Sequence, residues 1–148
     1  MAERVSMEGM RVLLVDDEED FRKTLANRLR KRKLETAEAE SGPEALEALN
    51  RQAYDVVVLD VRMPGMDGIE ALKKIKQSHP LVEVVMLTGH ATVETAIEGI
   101  KLGAFDYLMK PCDMEILISK VSEAASRKRE QERKIVEARI KEIAMSRA

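Results

Sequence analysis

Two adjacent carboxylates (Asp16 and Asp17), a third (Asp60), a hydroxyl (Thr88) and an amine (Lys110) each stand at or just past the end of a short apolar run. Singly, each has an ordinary reading. An Asp at a strand-to-helix turn serves as a cap, Thr88 can end a strand, and Lys110 can be a solvated surface amine. Together they pose an electrostatic problem, because carboxylates gathered from two strand ends repel one another unless a cation lies between them. Mg²⁺ is the natural candidate: it takes a few carboxylates, keeps several waters and commonly completes its shell with phosphate oxygens. The hydroxyl and the amine add two further groups able to hold phosphoryl oxygens. The chemistry this set suits is phosphoryl transfer, with one carboxylate as the nucleophile. No glycine-rich phosphate loop or dinucleotide fingerprint is present, so the phosphate is not expected to belong to a nucleotide held by this chain.

Those residues need strands to place them. Val12 to Val15, Val56 to Leu59 and Val84 to Leu87 are uninterrupted and rich in Val, Leu or Met, as strands buried on both faces are. Phe105 to Met109 is a weaker fourth run, and Leu34 to Ala39 alternates like an edge strand. Helical patterns fill the intervals. Phe21, Leu25 and Leu29 recur at helical spacing; Ser41-Gly-Pro-Glu44 has the form of a capping box with proline in the first turn. Ile69, Leu72 and Ile75 form the next stripe, and Thr92 can cap a helix bearing Val93, Ala96, Ile97 and Ile100, with Gly103 past its end. Five strand–helix alternations imply a parallel sheet with helices on both faces, which binds ligands at the carboxyl ends of its strands. Asp16, Asp17, Asp60, Thr88 and Lys110 would meet there.

The ordered set Asp16-Asp17, Leu59-Asp60-Val-Arg-Met-Pro-Gly-Met-Asp-Gly68, Leu87-Thr88-Gly89 and Tyr107-Leu-Met-Lys110-Pro111 resembles the receiver domain of two-component response regulators over about residues 10 to 125. The resemblance implies a doubly wound, flavodoxin-like sheet of five parallel strands in the order 2-1-3-4-5, here with an extended C-terminal helix. It makes Asp60 the phosphorylated aspartate. Asp17 and Asp60 would bind Mg²⁺ through their side chains, Arg62 through its backbone carbonyl and Asp16 through water. Thr88 and Lys110 would contact the phosphoryl group, the Lys110–Pro111 bond would be cis, and Thr88 with Tyr107 would form the conformational switch. Arg62 and His90, flanking the site, would tune the lifetime of the phosphoryl group, and Gly89 would keep the entrance open. The implied partners are a sensor histidine kinase or phosphotransfer protein and a downstream protein target. A phosphatase with an aspartyl nucleophile fits less well, because Asp60-Val-Arg62 lacks a second acid two residues on.

The chain has 148 residues, 45% hydrophobic and 35% charged, with a formal charge of −2. This suits one globular domain and neither a disordered chain nor an electrostatic nucleic-acid binder. The single cysteine, Cys112, fits a reducing compartment, and no apolar run approaches a membrane span. A cytoplasmic signalling protein without an independent turnover substrate is the expectation. The cluster from Arg28 to Lys33 lies at a helix C-terminus without interleaved aromatics, as a solvated face would.

The organisation expected is a flexible N-terminus over residues 1–9, the receiver over 10–125 and a charged helical extension over 126–148. Ser126 to Lys134 contains no apolar residue, so this stretch is expected to leave the core. Val136, Ile140 and Ile143 then form a second stripe, open to dimerisation, docking or fraying. A homodimer would use this helix or the face of the fourth helix, fifth strand and fifth helix. Residues 127–148 carry eight basic against four acidic residues, the rest 17 against 23. A stand-alone receiver and the receiver portion of a longer transcription regulator are both compatible with this pattern.

Overall fold

The computed structural model describes residues 9–63, 65–89 and 92–146. The elements are β1 (Arg11–Val15), α1 (Glu19–Lys31), β2 (Glu35–Ala39), α2 (Gly42–Arg51), β3 (Val56–Leu59), α3 (Gly68–Ser78), β4 (Glu83–Thr88), α4 (Val93–Lys101), β5 (Asp106–Met109) and α5 (Met114–Ser146). All five strands are parallel, in the order β2-β1-β3-β4-β5. This is the doubly wound architecture expected from the alternation. Of the expected N-terminal segment, residues 1–8 lie outside the described residues.

The apolar runs are buried on both faces because successive side chains feed two cores. Leu13, Val15, Val57, Leu59, Val84 and Met86 face α2 and α3, where Ala45, Leu49, Ala71, Leu72 and Ile75 meet them. Val12, Leu14, Val56, Val58, Val85 and Leu87 face α1 and α5, against Leu25, Leu29, Leu117 and Val121. The register sets Val15 beside Leu59, Leu59 beside Met86 and Thr88 beside Met109. The first residues beyond these strands therefore share one rim.

One local reading changes in the structure, and two others hold with added detail. Ser41 accepts from the Glu44 amide, but the Glu44 carboxylate reaches the Glu40 amide (3.3 Å) rather than that of Ser41, so the expected box closes one residue early. Thr92 caps α4 as expected, in a full capping box with Thr95. The stripe on α4 is helical as expected, yet Val93, Ile97 and Ile100 are exposed; Gly99 is the buried residue of this helix.

The C-terminal helix runs 33 residues, about 50 Å. Its apolar gap does not detach at once, because charge replaces apolar contact there. Lys128 is 9% exposed and lies 3.4 Å from the buried Asp55 carboxylate at the start of β3. Arg129 donates to both oxygens of Asp55 (3.2 Å) and to the Gly9 carbonyl (2.9 Å). Past Glu132 the helix is exposed throughout, including Ile135, Val136, Ile140 and Ile143. No helix among the described residues is long and apolar enough to cross a membrane.

Candidate functional site

The carboxyl rim of the sheet holds the acidic cluster because the ladder continues one residue past the strands. The amide of Asp16 donates to the Ala39 carbonyl (3.1 Å), that of Asp60 to Val15 (3.0 Å) and that of Lys110 to Thr88 (2.8 Å). Carboxylate oxygens of Asp16, Asp17 and Asp60 all lie within 4.8 Å of one another. Asp16 and Asp60 are each only 5% exposed, while Asp17 opens to solvent.

Lys110 reaches into this cluster from the end of β5. Its ammonium lies 2.6 Å from Asp16, 3.4 Å from Glu18 and 3.7 Å from Asp60, and 4.1 Å from the Phe21 ring centroid. One cation cannot balance several anions, and proton affinities shift accordingly. Burial pushes the Asp16 carboxyl up, as does the Asp60 charge, against the opposing bonds from Lys110 and the Glu18 amide. Burial would lower the Lys110 amine, but its bond to Asp16 and the charges of Asp16, Asp60 and Glu18 outweigh that and raise it. The site is thus a pocket with surplus negative charge and hard oxygen donors, the surroundings a small divalent cation requires.

The loop after β3 is held by a close approach. The Gly68 amide donates to the Val61 carbonyl (2.6 Å), and a β-carbon on Gly68 would stand 2.2 Å from the Asp60 carbonyl oxygen. Gly68→Ala must therefore displace backbone at Asp60 or the start of α3. We expect a loss of about 1–3 kcal/mol, read as a lowered urea midpoint; an unchanged midpoint would mean that this loop yields freely.

Thr88 is fully buried at the end of β4. Tyr107 is half-buried: its ring lies over Gly99, and its hydroxyl is 3.0 Å from the Thr95 hydroxyl on α4. The Lys110–Pro111 peptide is cis. Arg62 is exposed, and its amide donates to Asp60 (3.3 Å). Gly89 leaves open space, since a β-carbon there would be 4.0 Å from the nearest atom, on Lys110. His90 lies outside the described residues. His79 ends α3 as expected, its ring 3.2 Å from the Asn50 side chain. Sequence reasoning missed Arg22, a buried cation beneath Asp16. Its signal was legible: Arg22 falls in register with Leu25, Ala26 and Leu29, a charge on the buried stripe of α1.

A parallel 2-1-3-4-5 sheet with an acidic trio and a lysine at its carboxyl rim defines a receiver-type phosphoacceptor fold. The family model of the response regulator receiver domain matches residues 12–122, and the chain belongs to that family. It is 41% identical over 119 residues to the DNA-binding transcriptional regulator NtrC of Klebsiella pneumoniae, covering 80% of this chain and 25% of that protein. The chain thus spans about a quarter of the length of the curated relatives it matches. The receiver domain of NtrX from Brucella abortus superposes with a TM-score of 0.74 at 38% identity, covering 78% of this chain and 98% of that one. A longer NtrX chain in complex with ADP gives a TM-score of 0.78 at 36% identity, covering 85% of this chain and 29% of that one. The chain is a receiver domain of the NtrC-like response regulators of two-component signalling.

Proposed function

We propose that Asp60 accepts the phosphoryl group. The carrying observation is its place: a buried carboxylate within reach of two others and of the Lys110 ammonium, at the sheet's ligand-binding rim. In the reaction, a carboxylate oxygen of Asp60 attacks the phosphorus of a phosphohistidine on a kinase or phosphotransfer protein. The P–N bond breaks as the O–P bond forms, and the imidazole keeps the electron pair and takes a proton from solvent. Lys110 offsets charge on the transferring oxygens, and Thr88 holds one of them by its hydroxyl.

The donor set fits Mg²⁺: Asp17 and Asp60 would hold it through their side chains, Arg62 through its carbonyl and Asp16 through water. Bound there, the ion would supply charge neutralisation and orientation of phosphoryl oxygens. The same groups later position a water for hydrolysis, so the domain assists its own modification and reset without a turnover substrate. Arg62 and His90 tune that lifetime.

Phosphorylation adds about −1.5 to −2 charges. The new charge draws Thr88 inward, and Tyr107 leaves its bond with Thr95 and turns into the vacated space. The shift biases the exposed face of α4, β5 and α5 between two existing conformations. We further infer that residues 10–125 act as the receiver, and that the charged helix from 126 carries the signal to a downstream effector, as the receiver portion of a longer regulator would. The greater coverage by the longer NtrX chain than by its isolated receiver supports this. Pairing of two copies through this helix or the α4–β5–α5 face is the proposed output state, with no direct contact to nucleic acid or membrane.

The test is incubation of the chain with a small phosphodonor, with and without Mg²⁺, followed by intact mass and chromatographic size. A mass gain of one phosphoryl group that needs Mg²⁺ is expected, with a shift to larger size; a gain indifferent to chelator would sink the metal reading. No gain under any condition would sink the acceptor reading.

A further inference from the structure

We propose that Arg22 is a positioning residue for the divalent-cation site, setting the orientation of the Asp16–Asp17 peptide from below. The inference rests on the reading of Asp16 and Asp17 as cation ligands.

Arg22 belongs to the buried stripe of α1, and its side chain is only 6% exposed. Three acceptors take its guanidinium. One terminal nitrogen donates to the Asp16 carbonyl at 2.8 Å, Nε donates to Glu38 at 3.0 Å, and the other terminal nitrogen lies 3.6 Å from Glu40. Glu38 lies in β2 and Glu40 just past its end, so one planar fork ties the loop after β1 to the end of the neighbouring strand. The Asp16 amide is held from the same side by the Ala39 carbonyl (3.1 Å). Both polar groups of Asp16's backbone are thereby fixed to one strand end.

Position, rather than charge, is what Arg22 supplies. Glu38 and Glu40 already oppose its positive charge, so little net field remains for the carboxylates above. What remains is the direction of the Asp16 carbonyl, which fixes the peptide plane from which Asp17 projects. Asp17 is exposed, and no protein group among the described residues bonds its carboxylate, so its location follows from that plane. A cation needing oxygens from both Asp17 and Asp60 is sensitive to a small rotation there, since Mg²⁺ demands near-ideal octahedral geometry. The groups that orient metal ligands typically matter ten- to a hundredfold in affinity.

The experiment is calorimetric Mg²⁺ titration of the full chain and of three variants, with unfolding measured in chelator to separate stability from affinity. Arg22→Lys keeps the charge but cannot reach the Asp16 carbonyl and Glu38 at once; its Kd for Mg²⁺ is expected to rise roughly tenfold. Arg22→Met is expected to rise further. Arg30→Gln is the control: Arg30 also lies near Glu38 (3.5 Å) but bonds the Thr36 carbonyl instead of Asp16. Its Kd should stay within about twofold of wild type even where its melting temperature drops. If Arg22→Met does not fold, Arg22→Lys decides alone. An unchanged Kd in folded Arg22→Lys, or an equal rise in Arg30→Gln, overturns the positioning role. A wild-type chain that binds no Mg²⁺ overturns the cation reading beneath it.

Discussion

Asp60→Asn is expected to abolish phosphoryl uptake from a small phosphodonor while leaving the fold intact. Asparagine keeps the size and shape of the side chain and can still accept from the Arg62 amide, but its amide oxygen is a poor nucleophile and cannot form a stable acyl phosphate. Neither neighbouring carboxylate is placed to substitute. Asp16 is engaged by Lys110 at 2.6 Å and by the Glu18 amide at 2.9 Å, and Asp17 is exposed to water rather than set beside the amine. Intact mass spectrometry checks this directly, and a gain equal to that of the wild type would move the nucleophile off Asp60. Two accompanying changes have opposite signs. Mg²⁺ affinity should fall roughly tenfold or more with the loss of an anionic ligand. Thermal stability in chelator should hold or rise, because one of three mutually repelling carboxylates is gone.

At the opposite end of the sheet, Asp55→Ala is expected to cost about 3 kcal/mol of stability, the lower end of what breaking a buried ion pair costs, because Arg129 is half-exposed. Asp55 is 5% exposed and accepts from the Arg11 amide (2.8 Å) and twice from Arg129, with Lys128 at 3.4 Å. Removing it orphans a part-buried amide and leaves Lys128, 11% exposed in its side chain, with Glu132 at 3.0 Å as its one remaining ion-pair partner among the described residues. A lower urea midpoint at unchanged slope would report this, and backbone exchange over residues 127–132 should quicken as α5 loses its anchor.

The pH dependence fixes the sign. Burial alone would raise the Asp55 carboxyl, but the bonds from Arg129 and the Arg11 amide, with the Lys128 charge, outweigh it and hold the group below its ordinary value. A carboxyl depressed in the folded state contributes stability fully above its unfolded value of about 3.9, and that contribution disappears as pH falls through the folded value. The gap in stability between wild type and Asp55→Ala should therefore be constant near neutrality and close below about pH 4. A gap that persists unchanged into acid would mean that packing, and not the ion pair, supplies the stability.

The strand runs announced themselves because a two-faced core demands unbroken apolar residues, and the site residues because each stands where such a run stops. The extension is less legible. An apolar gap from Ser126 to Lys134 signals departure only if apolar contact is the sole means of attachment, and here Asp55 at the foot of β3 holds Lys128 and Arg129 instead. Nothing local to either segment marks that pairing, since Lys128 lies 73 positions beyond Asp55. The α4 stripe is incomplete in the reverse sense: its period specifies the helix that forms, but only the placing of α4 over β5 leaves Val93, Ile97 and Ile100 outside.

By itself, then, the order of residues determined the element types, the parallel architecture and the identity of the groups that gather at one rim, since period, caps and strand-end polarity are local properties. Tertiary structure alone decided which groups touch. It set Lys110 against Asp16 more closely than against Asp60, turned Tyr107 toward Thr95, and buried Arg22 beneath the Asp16 carbonyl. Such contacts depend on the separation of atoms brought together across strands, and a one-dimensional pattern carries no measure of that distance.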